Sequence, residues 1–269
     1  MPFARLSNGA SMYYLSRGPA DAPAVVLIHG FPLDATIWKG QLEGLGEKYR
    51  IVAPDLRGFG LSQSTQAFTM ESLAEDLDEF IWSLRLSKPM VGGLSMGGYV
   101  ALEFARKYPA DACGLILVDT RAEGDSPDAK QGRAKMIQLA REQGSGAVAQ
   151  TMMGKLLAPQ TAAVQPQLVE RLRGIMEACP PPTIQNALVA MRDRPDQTAN
   201  LAAIHMPVLI VVGESDVLTP PPLAQAMHAA IGGSEMAVIR QAGHMSPMEQ
   251  PRQFNAVLSK FLDQWAAAE

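Results

Sequence analysis

Short runs of β-branched and other apolar residues recur along the chain, separated by longer stretches in which apolar positions return every three or four residues. The short runs predict buried strands, and the three-to-four spacing predicts amphipathic helices. Strands are predicted at residues 24–28, 50–53, 89–92, 114–118, 208–212 and 236–239, and helices at 37–48, 70–86, 96–107, 222–230 and 251–265. Alternation of this kind implies an α/β fold, with a mostly parallel central sheet flanked by helices on both faces. An N-terminal hairpin precedes it, because arms at 3–6 and 11–15 flank Asn8-Gly9, a strong two-residue turn signal. Thr69 and Pro251 stand where a helix N-cap and a first helical residue are favoured.

One segment breaks the alternation. Residues 121–200 contain no strand pattern, only helical patterns punctuated by Gly144, Gly154, Pro159, Pro166 and Pro180-Pro181-Pro182. The expected organisation is a core domain built from 1–120 and 201–269, with 121–200 inserted as a helical cap. The insertion has no Phe, Trp or Tyr but carries Met136, Met152, Met153, Met176 and Met191. Unbranched thioethers fill irregular space and re-pack around varied apolar shapes. Either these methionines replace other core residues, or Met136, Met152 and Met153, with Phe31 and Met245 from the core, line an apolar substrate pocket.

Composition narrows the class. The 269 residues are 47% hydrophobic with a formal net charge of −4 and no basic run, which gives ample core and no electrostatic footprint for nucleic acid. The longest apolar runs, such as 207–212, are too short to span a bilayer, and the first residues lack a signal peptide's apolar stretch. A cytoplasmic location, reduced Cys113 and Cys179, and a monomer or homodimer are expected.

The candidate chemistry centres on Gly93-Leu94-Ser95-Met96-Gly97, which follows a strand pattern and opens a helix pattern. In a G-x-S-x-G elbow the serine sits on a sharp strand-to-helix turn, and the flanking glycines let strand and helix pass closely. A phosphate-binding turn is the competing reading, but neither Gly-Lys-Ser/Thr nor an early G-x-G-x-x-G occurs. Serine is a weak nucleophile at neutral pH and needs a histidine base oriented by a carboxylate. Of His29, His205, His228 and His244, only His244 falls in a loop between the last strand and the last helix, on the same carboxyl edge of the sheet as Ser95. Asp216, after the strand at 208–212, is the preferred acid, with Asp119 and Glu214 as alternatives. The order Ser95, Asp216, His244 differs from that of chymotrypsin and of subtilisin.

With these motifs, His29-Gly30-Phe31-Pro32 and the run from Asp55 to Ser62 (DLRGFGLS), the chain resembles the α/β-hydrolase fold serine hydrolases over nearly its whole length. The resemblance implies that 121–200 is the cap domain and favours Asp216 over Asp119. It also implies an oxyanion hole formed by the backbone N–H groups of Phe31 and Met96, with His29 positioning the Phe31 loop. No cofactor or metal is expected.

Within the superfamily the motifs are similar to those of small carboxylesterases and 3-oxoadipate enol-lactonase-like hydrolases. The arginines of the insertion, Arg121, Arg133, Arg141, Arg171, Arg173, Arg192 and Arg194, alternate with Asp and Glu like a solvated face. That pattern argues against a dianionic lactone and for a carboxylesterase acting on small to medium apolar acyl esters. Haloalkane dehalogenases and epoxide hydrolases need an aspartate where Ser95 stands. Haloperoxidase-like perhydrolysis and carbon–carbon hydrolysis keep the same triad and remain alternatives, as does a slow-turnover receptor on the hydrolase fold.

Overall fold

The computed structural model describes residues 2–7 and 9–265. Its centre is one eight-stranded sheet formed by β1 (Phe3–Arg5), β2 (Ser11–Arg17), β3 (Ala24–Ile28), β4 (Arg50–Pro54), β5 (Met90–Leu94), β6 (Gly114–Val118), β7 (Val208–Gly213) and β8 (Glu235–Ile239), in the order β1-β2-β4-β3-β5-β6-β7-β8. The β1–β2 and β2–β4 pairings are antiparallel and all others are parallel. The predicted hairpin therefore forms, although Asn8 of its turn lies outside the described residues.

Alternation along the central strands decides what each face packs. Val26, Ile28, Val91, Leu115, Leu117, Val208, Ile210 and Val212 face one apolar cluster, which includes Leu73, Leu77 and Phe80 of α2 (Met70–Ser83) and Val100 and Phe104 of α3 (Met96–Lys107). Their neighbours Val25, Leu27, Ile116, Val118, Leu209 and Val211 face the other, with Leu42 of α1 (Lys39–Leu45) and Phe254, Leu258 and Phe261 of α10 (Pro251–Trp265). Because both faces are covered, β5, β6 and β7 read as unbroken apolar runs. Thr69 closes a capping box on α2: its Oγ1 accepts from Ser72 N at 3.0 Å while Ser72 Oγ accepts from Thr69 N at 2.9 Å.

Between β6 and β7 the chain is helical: α4 (Pro127–Leu156), α5 (Pro159–Val164), α6 (Pro166–Ala178) and α7 (Pro181–Asp193). Pro159, Pro166 and Pro181 each occupy a first helical position, where the missing N–H costs nothing. Gly144, at φ 77°, kinks α4, whereas Gly154 lies within the helix without interrupting it. After β7 come α8 (Pro221–Ala230) and α9 (Ser246–Glu249).

Two expectations need adjusting. The helix predicted at 37–48 is a 3₁₀ turn, Ala35–Trp38, running into α1. The strand predicted at 89–92 continues to Leu94, so that Ser95 directly follows the sheet.

Candidate active site

The site lies where β3 and β5 adjoin. The chain leaves β3 for β4 on one side and returns to β5 on the other, so the loops after β3 and β5 diverge and leave a crevice. Ser95 stands at that crevice with φ 53° and ψ −111°, a sparsely populated conformation that costs about 1–3 kcal/mol and persists only when its surroundings enforce it. They do: Ser95 N donates to Val118 O at 2.9 Å, and Thr120 Oγ1 donates to Ser95 O at 2.8 Å. A Cβ on Gly93 would lie 2.1 Å from the Gly97 carbonyl, and one on Gly97 would lie 2.5 Å from Ile28 O. Gly93→Ala should therefore destabilise by about 3 kcal/mol or more, lowering Tm by roughly 10 °C in thermal unfolding. An unchanged Tm would mean that β5 and α3 do not cross this closely.

His244 is buried in the loop between β8 and α9. Its Nδ1–H donates to Asp216 Oδ2 at 2.8 Å. Asp216 also accepts from Leu218 N (2.8 Å), Thr219 N (3.0 Å) and Thr219 Oγ1 (2.6 Å), so its carboxylate has one orientation. Burial alone would push the Asp216 carboxyl up, but the His244 charge and these hydrogen bonds hold it below the ordinary range. Burial likewise pushes the His244 imidazole down, and the Asp216 charge and hydrogen bond, aided by Asp119, outweigh burial and the nearby Arg121 to hold it above 6.5. With Nδ1 committed to Asp216, Nε2 is the nitrogen free to exchange a proton.

Asp119, the alternative acid, has another position. It is fully buried at φ 44°, with Oδ1 accepting from Gly213 N at 2.7 Å and Oδ2 lying 2.6 Å from Ser246 Oγ. Burial and the Asp216 charge push its carboxyl up to about 8. Asp119 thus ties the end of β7 to the start of α9, on either side of His244. Glu214, the third candidate, accepts from Gln241 N at 3.0 Å and is exposed.

Sequence reasoning missed Glu249. This buried carboxylate accepts from Gly243 N (2.7 Å) and Met245 N (3.3 Å) with Oε1, and from Ala158 N (2.8 Å) with Oε2. It fixes the amides on both sides of His244 and joins them to the segment between α4 and α5. An acid at the end of a four-residue helix gives no sequence signal of that role.

His29 is tied at both ring nitrogens: Nδ1–H donates to Gly30 O at 2.8 Å, and Nε2 accepts from Leu56 N at 3.0 Å. Burial pushes its pKa down, which favours the neutral ring that these two hydrogen bonds require. His228 sits exposed on α8 beside Ser234.

Ser95, His244 and Phe31 line one cavity of about 430 Å³ together with Tyr99, Met136, Met152, Leu188, Met191 and Leu218. Of the residues expected to line a pocket, Phe31, Met136 and Met152 line this cavity. Met153 and Met245 are not among its lining residues; both pack into the apolar cluster that carries α10, and Met245 is fully buried there. The arginine reading also changes. Arg121 and Arg133 line the cavity with Lys155, and Arg194 is buried, its guanidinium 4.0 Å from the Tyr99 ring centroid. Interleaving in sequence does not fix the direction in which a side chain on a strand end or a bent helix points. Among the described residues no three His, Cys, Asp or Glu side chains gather as a metal site would need, Cys113 and Cys179 form no disulfide, and no helix is long and apolar enough to cross a membrane.

Comparison with known proteins agrees with this architecture. A thermophilic esterase from Thermogutta terrifontis, solved with malate bound, is 40% identical and superposes with a TM-score of 0.93 over 98% of both chains. The 3-oxoadipate enol-lactonase 2 of Acinetobacter baylyi is 28% identical over 95% of this chain and 96% of its own. The enol-lactonase of Burkholderia xenovorans, 24% identical with a TM-score of 0.91 over 97% of this chain and 100% of its own, shares the fold. Residues 25–257 match the model of the alpha/beta hydrolase family, and the chain belongs to that family.

Proposed function

We propose that the protein is a serine carboxylic-ester hydrolase in which Ser95 is the nucleophile, His244 the general base and Asp216 the residue that orients it. The observation that carries this reading is the 2.8 Å His244–Asp216 pair opening, through Nε2, on the cavity that also holds the strained Ser95 turn. Ser95 Oγ attacks the acyl carbonyl as His244 Nε2 takes its proton, and the imidazolium is stabilised by Asp216. His244 then protonates the leaving alcohol, and a water activated by the same nitrogen releases the acid from the acyl-enzyme.

The oxyanion of each tetrahedral intermediate needs preorganised donors. The Phe31 and Met96 amides fit that need, since neither has a hydrogen-bond partner among the described residues and both flank the crevice between β3 and β5. Residues 121–200 act as the cap domain, with α4 and α7 supplying the far wall of the cavity. Its apolar lining of Phe31, Met136, Met152, Leu188, Met191 and Leu218 suits small to medium acyl groups.

A p-nitrophenyl ester series from acetate to laurate, run beside an enol-lactone, tests the reading. Steady turnover that favours the shorter esters is expected; a burst without steady turnover on every ester would support a receptor instead. Because the base must be unprotonated, kcat/KM should rise with pH along a limb centred above 6.5, the ordinary imidazole value. Asp216 and Asp119 push that limb up, and burial and Arg121 oppose them. A midpoint at or below the ordinary value would contradict the His244–Asp216 pairing as base.

Lactone hydrolysis uses the same machinery. The positively charged cavity wall favours it over the other relatives' chemistries, as do the enol-lactonase sequences this chain resembles.

A further inference from the structure

His244 stands on a loop that is held by a carboxylate other than Asp216. Glu249 is 2% exposed; its Oε1 accepts from Gly243 N at 2.7 Å and Met245 N at 3.3 Å, the amides on either side of His244, and its Oε2 accepts from Ala158 N at 2.8 Å. Three N–H groups converge on one side chain and use both of its oxygens as acceptors, which suits a carboxylate and not a carboxamide. Keeping that carboxylate dry has a cost, since burial pushes the Glu249 carboxyl up. With Ser246 N on Asp119 Oδ2 at 3.3 Å, the amides of residues 243, 245 and 246 are all committed to buried carboxyl groups.

The backbone around Glu249 is packed without slack. A Cβ on Gly243 would lie 2.6 Å from Ala158 N and 2.8 Å from the Leu157 carbonyl carbon, and one on Gly213 would lie 2.0 Å from Gly243 O. The end of β7, the residue before His244 and the 157–158 segment are therefore stacked backbone on backbone. Glu249 bonds two of these layers to each other, and Ser215 N, which donates to Ala242 O at 2.8 Å, joins the third. Ser215 directly precedes Asp216, so the loops that carry the base and its acid share one mount. Glu249 itself is not among the residues lining the cavity over Ser95.

We propose that Glu249 is a positioning residue for hydrolysis: by holding the Gly243 and Met245 amides it sets the direction of the His244 ring, and with it both the bond to Asp216 and the reach of Nε2 towards Ser95. This rests on the hydrolase reading above and extends it beyond Ser95, His244 and Asp216. The bond from Ala158 N to Oε2 fixes the rotation of the carboxylate, so that Oε1 faces the loop. Glu249 acts through alignment rather than through its charge. The charges that shift the His244 imidazole are those of Asp216, Asp119 and Arg121, so a neutral isostere at 249 changes the ring's surroundings through geometry. Geometry is enough, because misplacing a catalytic group by about 1 Å costs about 100-fold.

The test follows p-nitrophenyl acetate hydrolysis per active site, with sites counted by titration with a p-nitrophenyl phosphonate so that misfolded protein is left out of the rate. In Glu249→Gln, kcat per titrated site should fall by about 10- to 100-fold while KM stays within about 2-fold of native. The pH limb of kcat/KM should move down, because the Asp216 charge and hydrogen bond raise the His244 pKa and a ring turned from Asp216 loses both. Ala158→Pro cuts the same network from the other side. Ala158 has φ −60°, and Leu157 has φ −111° and ψ 148°, values that a proline and the residue before it adopt, so the ring takes the place of the N–H. This variant should lose about 3- to 10-fold in kcat with the same downward shift, and the double variant should lose little more than Glu249→Gln alone. If Glu249→Gln does not fold, Ala158→Pro decides by the same two readouts. Near-native kcat per titrated site, or a fall in kcat with an unmoved pH limb, would overturn the positioning role and leave the hydrolase reading standing. A native protein that neither hydrolyses the ester nor reacts with the phosphonate would overturn both.

Discussion

Ser95→Ala should lower kcat for ester hydrolysis by about 10⁶-fold, the size of effect seen when a triad serine is removed from a serine protease. The loss is this large because the three residues act as a unit: without Oγ, His244 has no proton to accept and no acyl-enzyme forms. The substitution is also well suited to the test. The Ser95 turn is held through backbone groups, by its own N–H on Val118 O and by Thr120 on its carbonyl, so the variant keeps its fold while losing only the hydroxyl. Circular dichroism and thermal unfolding should match the native protein within error. A folded Ser95→Ala variant with near-native steady-state turnover would remove Ser95 from the mechanism.

Asp216→Asn should cost about 10⁴-fold in kcat, as the equivalent change does in a serine protease triad, whereas Asp119→Asn should cost about 10-fold or less. The difference follows from what each carboxyl touches. Asp216 accepts a 2.8 Å hydrogen bond from the Nδ1–H of His244, and an asparagine there can present an N–H that selects the wrong tautomer. Asp119 makes no hydrogen bond to the imidazole; it bridges Gly213 and Ser246. Its carboxyl is pushed up to about 8, whereas that of Asp216 is held below the ordinary range, so a neutral amide costs less at 119 than at 216. Comparable losses from the two substitutions would make Asp119 a second acid of the triad rather than a brace behind it.

The sequence was most legible where physics forces one answer. Central strands buried on both faces must be continuous apolar runs, and β3, β6 and β7 appear almost residue for residue where that rule places them. Thr69 and Pro251 likewise mark helix starts because few residues satisfy or avoid the orphaned amides there. The end of β5 was less legible because Gly93, read as the start of a turn, is a strand residue whose missing Cβ admits α3. Ser95, Asp216 and His244 could be singled out because each stands at or shortly after the end of a strand on one sheet edge. What stayed hidden depends on direction and distance. Arg121 and Arg133 look like their solvent-facing neighbours until the chain turns them inward, and the partners of Glu249 include an amide 91 positions away.

That last contact has a mechanical meaning. One carboxylate grips the amides before and after His244 with one oxygen and the start of α5 with the other. The 158 end of the helical insertion is thus anchored to the loop that holds His244, while the kink at Gly144 lies within the same insertion. Any displacement of the insertion that carried residue 158 with it would therefore pull, through Glu249, on the loop that holds His244.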